Sequence, residues 1–235
     1  MSRTIVIIPT YNERENLPAM EKALREQAPG THLLVVDDGS PDGTGGIADD
    51  LVASRPGEVH VLHRTGKLGL GTAYLAGFKK ALALGYDVVV QMDCDFSHEP
   101  SAVPVLVKTL LEGNDLVLGS RYVPGGGTVN WGVGRKIISK GGSAYARTVL
   151  GLPYRDLTGG FKCWSRATLE AIPLDEVNAQ GYGFQIEMTY RAHKMGKKIR
   201  EVPITFADRR VGQSKMSKRI VLEALVLCWK IRGSA

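Results

Sequence analysis

Nowhere in this 235-residue sequence do apolar residues run on for the roughly 20 positions that a membrane-crossing helix needs. The longest stretch, Ile220 to Trp229, is about half that length and is interrupted by Glu223, so it cannot cross a bilayer alone. The apolar run before Pro9 is also too short for the core of a secretory signal, which makes a cytoplasmic location the expectation. Cysteine is scarce: Cys94, Cys163 and Cys228 are odd in number, far apart and without the paired spacing of a zinc site or a disulfide framework. A reducing compartment follows as the default, and no role is assigned to the thiols. Internal repeats and low-complexity segments are absent too, which excludes repeat architectures.

What is present suffices for a core. Hydrophobic residues make up 43% of the chain, and 235 residues suit one substantial α/β domain, or a domain with a tail. The 30 Lys and Arg against 24 Asp and Glu give a net charge of +6, which favours anionic partners such as a nucleotide, a phospholipid surface or a nucleic acid. Charge alone does not choose among them.

Apolar, β-branched runs recur at Thr4–Ile8, Leu33–Val36, Val59–Leu62, Val88–Met92 and Leu116–Leu118, with helix-like segments between them. A strand about every 28 residues with an intervening helix is the rhythm of a parallel sheet with right-handed crossovers, so an α/β fold is expected. Asn16 is placed to cap a helix over Leu17–Gln27, Gly71–Leu84 carries apolar residues at helical spacing, and Pro100 opens a helix over Ser101–Glu112.

Acidic turns stand at the ends of two of these strands, in LLVVDDGSPDGT (Leu33 to Thr44) and VVVQMDCDFSHEP (Val88 to Pro100). Asp and Gly dominate turns for local backbone reasons, so either motif alone is equally well explained as an ordinary turn. Two of them, each directly after an apolar strand, with a third acidic turn at Tyr11-Asn12-Glu13, favour a ligand site instead. Open α/β sheets bind ligands at the carboxyl ends of their strands. Asp37, Asp38, Asp93 and Asp95 would repel one another and any phosphate, unless some accept hydrogen bonds from a base or sugar and others hold a bridging divalent cation. That is the chemistry of a nucleotide-sugar site.

After Leu118 the rhythm breaks into a Gly-rich stretch, Gly119 to Arg135, which reads as a loop rimming the site. A helix over Val133–Leu150 puts Lys136, Lys140 and Arg147 on one face and Ile138, Tyr145 and Val149 on another. Alone, it is explained by a core helix with a solvated basic face. Near the C-terminus, however, Lys215, Lys218 and Arg219 again precede an apolar helix ending in Trp229, Lys230 and Arg232. The pair favours an interface, with Leu225, Leu227 and Trp229 entering a headgroup boundary or docking on a separate membrane-anchoring protein.

The segments TIVIIPTYNERENLP, VVDDGSPDGT, KLGLGTAYLAG and QMDCDFSHEP follow one another in an order that resembles family-2 glycosyltransferases of the GT-A fold. The later segments GSRY (Gly119–Tyr122), RKIISKG (Arg135–Gly141), DLTGGFKCW (Asp156–Trp164), GYGFQIEM (Gly181–Met188) and EVPITFADRRVGQSK (Glu201–Lys215) look like dolichol- or polyprenol-phosphate mannose synthases. The resemblance runs from Ile5 to about Lys215. It implies a single GT-A (Rossmann-like) domain over residues 1–210, with a mostly parallel central sheet flanked by helices, and a basic, amphipathic C-terminal helix within 211–235. It also implies mannose transfer from GDP-mannose to a polyprenol (dolichol-type) monophosphate, with Mg²⁺ or Mn²⁺, on the cytoplasmic face of a membrane. No nucleic acid partner is expected.

Residue by residue, the resemblance assigns Pro9, Tyr11 and Glu13, with Val36, Asp37 and Asp38, to the guanosine end of the donor. Carboxylates can accept the N–H groups of a guanine edge or ribose hydroxyls, and Tyr11 offers a ring for packing. Asp93, Cys94 and Asp95 match the DxD position: Asp95 is the first choice as metal ligand, Asp93 a sugar or metal-water contact, and Cys94 a small packing residue beside the donor. Where some relatives carry Gln, this chain has Ser97, whose hydroxyl could join the metal directly or through water. Arg121, Arg209 and Lys215 match phosphate-contacting positions, and Arg135 is a further candidate for the acceptor phosphate. Asp95, Arg121 and Asp93 form the expected catalytic set, while Asp156 would orient the sugar or a neighbouring Arg.

Such a reaction would invert the anomeric centre. A phosphate monoester loses its second proton at about pH 6, so the acceptor is already nucleophilic and no general base is required. Two rivals share these motifs: a UDP-glucose-dependent transferase acting on the same lipid, and a non-catalytic nucleotide-sugar-binding regulatory subunit. Against the second stand both metal-site carboxylates and the three basic residues.

Overall fold

The computed structural model describes residues 2–177, 181–208 and 218–233. Five strands lie where the apolar runs foretell them: β1 (Thr4–Thr10), β2 (Thr31–Asp37), β3 (Val59–His63), β4 (Val88–Gln91) and β5 (Leu116–Ser120). Two further strands, β7 (Lys162–Ser165) and β8 (Ile199–Pro203), complete a seven-stranded sheet of order β3-β2-β1-β4-β7-β5-β8. Every neighbour is parallel except β7, which runs antiparallel to both β4 and β5. A separate parallel pair joins β6 (Gly127–Val129) to β9 (Thr205–Ala207).

Ile5 to Ile8 of β1 are all fully buried, as a strand covered on both faces requires. Side chains alternate across the sheet, so Val6 and Ile8 pack with α1 (Leu17–Gln27), α2 (Thr44–Ser54) and α4 (Val103–Leu111). Ile5 and Ile7 pack on the other face with α3 (Leu70–Ala83), α6 (Arg166–Ala171) and α7 (Gly181–Lys194). A smaller apolar cluster joins α5 (Val133–Leu150), α7 and α8 (Lys218–Gly233) through Ala146, Val149, Ile186, Tyr190 and Cys228.

The structure corrects four local expectations. Asn16 occupies the N-cap of α1 in a helical conformation, and its amide donates to the Glu13 carboxylate at 2.8 Å instead of capping the helix. Pro100 begins a short 3₁₀ turn, and the α-helix proper starts at Val103 with Pro104 in its first turn. The two faces expected of α5 are not continuous along it: Val149 is buried and Tyr145 half-buried, whereas Ile138 is exposed together with Val133 and Ile137. In α8, Leu227 packs on the core and Cys228 is buried, so Trp229 is the exposed member of the apolar residues expected at an interface there; Leu225 lies among side chains outside the description.

Candidate active site

The carboxyl ends of β1 and β2 carry the first acidic cluster. Asp37 ends β2 almost fully buried, where its oxygens accept the Thr10 hydroxyl at 2.9 Å, the Ser40 hydroxyl at 2.5 Å and the Ser40 N–H at 3.0 Å. Asp37 thus ties the ends of β1 and β2 to the turn that follows. Asp38, also buried, pairs with Arg64 at 2.7 Å, and Arg64 in turn donates to the Thr72 hydroxyl. Burial pushes the Asp38 carboxyl up from its usual range, while Arg64 opposes the shift. Pro9 pairs with Val36 across β1 and β2, and the Lys67 ammonium stands 4.3 Å over the Tyr11 ring. The Glu13 N–H donates to the Thr44 hydroxyl, fixing the Tyr11 turn against α2.

Beyond β4 the chain makes a tight turn in which Phe96 takes a positive φ of 59° and the Ser97 N–H reaches Asp95 Oδ1 at 3.0 Å. Asp95 is 6% exposed, whereas the Asp93 side chain is 34% exposed and is the more open of the two carboxylates. Tyr74, wholly buried on α3, donates its hydroxyl to Asp93 Oδ1 at 3.2 Å. The Asp93 N–H donates to Nδ1 of His98, whose ring stacks on Phe161. Burial pushes His98 below its ordinary value against the pull of Asp93 and Asp95, so the ring is neutral. Burial likewise raises the Cys94 thiol, which leaves it a packing group.

Asp93, Asp95 and Ser97 offer oxygen donors within one turn, the ligand class taken by hard divalent cations. Among the described residues no three His, Cys, Asp or Glu side chains converge on a metal cage. A cation here would complete its shell with water and ligand oxygens, as Mg²⁺ commonly does.

Arg121 follows the end of β5 and is gripped by Asp156 of the loop over residues 156–161. Its Nε and Nη2 each reach an Asp156 oxygen at 2.7 Å, its N–H adds a third bond at 3.0 Å, and Nη2 also meets the Thr158 hydroxyl. Rings of Tyr122, Trp131 and Phe206 face the guanidinium at 5.1–5.4 Å. Asp156 therefore orients an arginine. Close packing here demands glycine, because a Cβ on Gly126 would fall 2.4 Å from the Ser120 carbonyl. Arg135 of α5 pairs with Asp208 at 2.6 Å and lies over the Trp131 ring. The loop also reaches the β4 turn, since a Cβ on Gly160 would stand 3.9 Å from Asp93 Oδ1.

Residues 5–172 match the family model of glycosyl transferase family 2. The chain belongs to that family. It is 51% identical over 233 residues to a polyprenol monophosphomannose synthase of Mycolicibacterium smegmatis, covering 98% of this chain and 88% of that one. To an undecaprenyl-phosphate mannosyltransferase of Micrococcus luteus it is 54% identical over 224 residues, covering 95% and 91%. A solved glucosyl-3-phosphoglycerate synthase of Mycobacterium tuberculosis, in complex with Mn²⁺, UDP-glucose and phosphoglyceric acid, matches with TM-score 0.69 and 26% identity over 97% of this chain and 80% of that one. The same synthase with Mg²⁺ and UDP matches with TM-score 0.67 at 26% identity, over the same shares of the two chains.

On this family-2 scaffold the sequence-predicted residues stand at or just beyond the carboxyl ends of β1, β2, β4 and β5, with Arg135 on α5 and with Arg209 and Lys215 outside the described residues. Several residues escaped sequence reasoning. Arg64 and Lys67 stand in a short basic stretch after β3 that resembles any solvated turn, and Tyr74 and Gln185 fall at core spacing on helices. Lys162 is fully buried in β7, donating to the Gln185 carbonyl at 2.6 Å and the Thr189 hydroxyl at 2.8 Å. Burial pulls it down to about 7, with Asp156 acting the other way.

Proposed function

We propose that this family-2 glycosyltransferase transfers mannose from GDP-mannose to a polyprenyl monophosphate, with inversion at the anomeric carbon. The observation that carries the reading is identity of 51% and 54%, over nearly the whole chain, to two proteins named for transfer to such lipids. The site chemistry agrees with it. Asp37, Asp38 and Glu13 shape the ends of β1 and β2 for the nucleoside, with Tyr11 beside them and Asp38 held in place by Arg64. A divalent cation held by Asp95, with Asp93 and Ser97, supplies charge that offsets the diphosphate leaving group.

Arg121, its plane fixed by Asp156, and Arg135 supply donors for the acceptor phosphate, joined in this proposal by Arg209 and Lys215. At neutral pH that phosphate is already anionic, so no residue has to remove a proton.

The acceptor's lipid tail requires contact with a membrane. Among the described residues no helix is long and apolar enough to span one. The first half of α5 instead exposes Val133, Ile137 and Ile138 beside Lys136 and Lys140, a surface suited to peripheral attachment on the cytoplasmic face.

Radiolabel transfer with purified protein, GDP-mannose and a short polyprenyl phosphate tests the proposal. Labelled lipid should form, EDTA should stop it, and Asp95→Asn should lower the rate at least about 100-fold. This substitution keeps an oxygen for the Ser97 N–H, so the melting temperature should hold. Full activity in EDTA would remove the metal from the scheme, and transfer from UDP-glucose in place of GDP-mannose would reassign the donor.

A further inference from the structure

We propose that Gln185 reads the hydroxyls of the transferred sugar, from a polar recess that it shares with His98, Asp93 and Gly160. This rests on the nucleotide-sugar reading above and goes beyond it by naming the residue that senses the sugar. Gln185 lies in the first turns of α7 and is 2% exposed, yet among the described residues neither Nε2 nor Oε1 of its amide has a hydrogen-bond partner. Buried polar atoms are rarely left without partners, because nothing then offsets their lost hydration. His98 repeats the pattern: it is 1% exposed and its Nε2 has no partner among the described residues. Since its Nδ1 accepts the Asp93 N–H at 3.2 Å, the ring proton is on Nε2, which is therefore a donor.

Both groups converge on one spot. A Cβ built on Gly160 would stand 3.6 Å from Gln185 Nε2, 3.7 Å from His98 Cε1 and 3.9 Å from Asp93 Oδ1. The recess offers a donor in Gln185 Nε2 and acceptors in Gln185 Oε1 and the Asp93 carboxylate, and the His98 ring borders it through Cε1, the carbon next to Nε2. A phosphate brings only acceptors and would be repelled by Asp93, whereas sugar hydroxyls both donate and accept.

The surroundings hold this turn of α7 in place. Lys162 Nζ donates to the Gln185 carbonyl at 2.6 Å, and the Phe184 ring lies parallel to Tyr74, whose hydroxyl reaches Asp93. Gln185 is thus fixed relative to the carboxylate expected to meet the sugar.

The test compares affinity for a nucleotide with affinity for its sugar conjugate, in Mn²⁺, by calorimetry on wild type, Gln185→Ala and Gly160→Ala. GDP is paired with GDP-mannose and, in parallel, UDP with UDP-glucose. Gln185→Ala removes an amide with no partner among the described residues, and the Gly160 methyl meets neighbours at ordinary contact distances, so both variants should fold. In each, GDP affinity should stay within about twofold while GDP-mannose affinity falls about tenfold, the effect of one or two lost hydrogen bonds. Equal losses for GDP and GDP-mannose, or unchanged GDP-mannose affinity, would overturn the proposal. If the wild type binds only the uridine pair, the donor reading fails on its own, and a sugar-specific loss in the variants still supports the role of Gln185.

Discussion

Lys162 occupies the interior of β7 with its ammonium bonded to the Gln185 carbonyl and the Thr189 hydroxyl, and among the described residues no carboxylate hydrogen-bonds to it. Burial lowers it from 10.5 to about 7, so between those values the unfolded chain binds a proton that the folded one has released. Stability from this group therefore rises with pH above about 7 and is flat below it, where both states are protonated. The slope approaches 1.4 kcal/mol per pH unit at most. Denaturant unfolding of wild type and Lys162→Met at several pH values from 7 to 8.5, chosen to stay below the ordinary value of a free thiol, should show it. The wild type should gain stability relative to the variant as pH rises, and a pH-independent difference would mean that Lys162 stays charged when folded. The same burial limits what the sequence discloses at this scale. The Asp93–Asp95 turn is legible because acidic residues after an apolar strand are conspicuous, whereas the sequence leaves Asp156 open between the sugar and an arginine, and nothing in GSRY singles out Arg121, 35 residues away, as its partner.

Elements were legible where the sequence spells them as apolar runs. Strands β1, β2, β4 and β5 are covered on both faces and announce themselves as apolar runs, while β3, part-buried at the edge of the sheet, shows in the alternation of VHVLH; α1 falls on Leu17–Gln27 as expected. Strands β6, β7 and β9 span three or four residues, too few to show a period, and β8 mixes buried and exposed positions in IREVP. The antiparallel β7 is the larger omission, because the βαβ rhythm predicts only parallel neighbours. Packing between α3 and the sheet explains one glycine that helix propensity would reject. A Cβ on Gly77 would lie 2.7 Å from Ile7 Cγ2 and 3.2 Å from Val36 Cγ2, both on fully buried strand residues. Gly77→Ala gains about 1 kcal/mol in propensity. Overpacking costs about 1–3 kcal/mol and wins, so the variant should melt below the wild type. A higher melting temperature would show that α3 can shift away from the sheet without penalty.

At the scale of the whole molecule, the chemistry and the proposed membrane surface share a side. Tyr122, next to Arg121, donates its hydroxyl to Ser139 of α5, and Arg135 of α5 pairs with Asp208 just beyond β9. The second half of α5 is tied to the core and to α8, where Trp229 donates to the Tyr145 hydroxyl and Arg232 to the Val149 carbonyl. Removing α8 would therefore strip packing from α5 and blur any test of attachment. The first half of α5 gives a cleaner one, because Ile137 and Ile138 are 66% and 47% exposed and contribute little to the fold. Burying each in an interface is worth about 1.5–3 kcal/mol, against about 1 kcal/mol each for Lys136 and Lys140 near anionic lipid. The apolar share is the larger, so salt should weaken vesicle binding without abolishing it. The double variant Ile137→Ser, Ile138→Ser should lose most of its sedimentation with anionic vesicles and become strongly salt-sensitive. Its turnover of a long acceptor embedded in vesicles should fall several-fold, while turnover of a short, detergent-dispersed polyprenyl phosphate stays near wild type. Loss on both acceptors would place the residues in the catalytic machinery, and loss on neither would move the attachment away from α5.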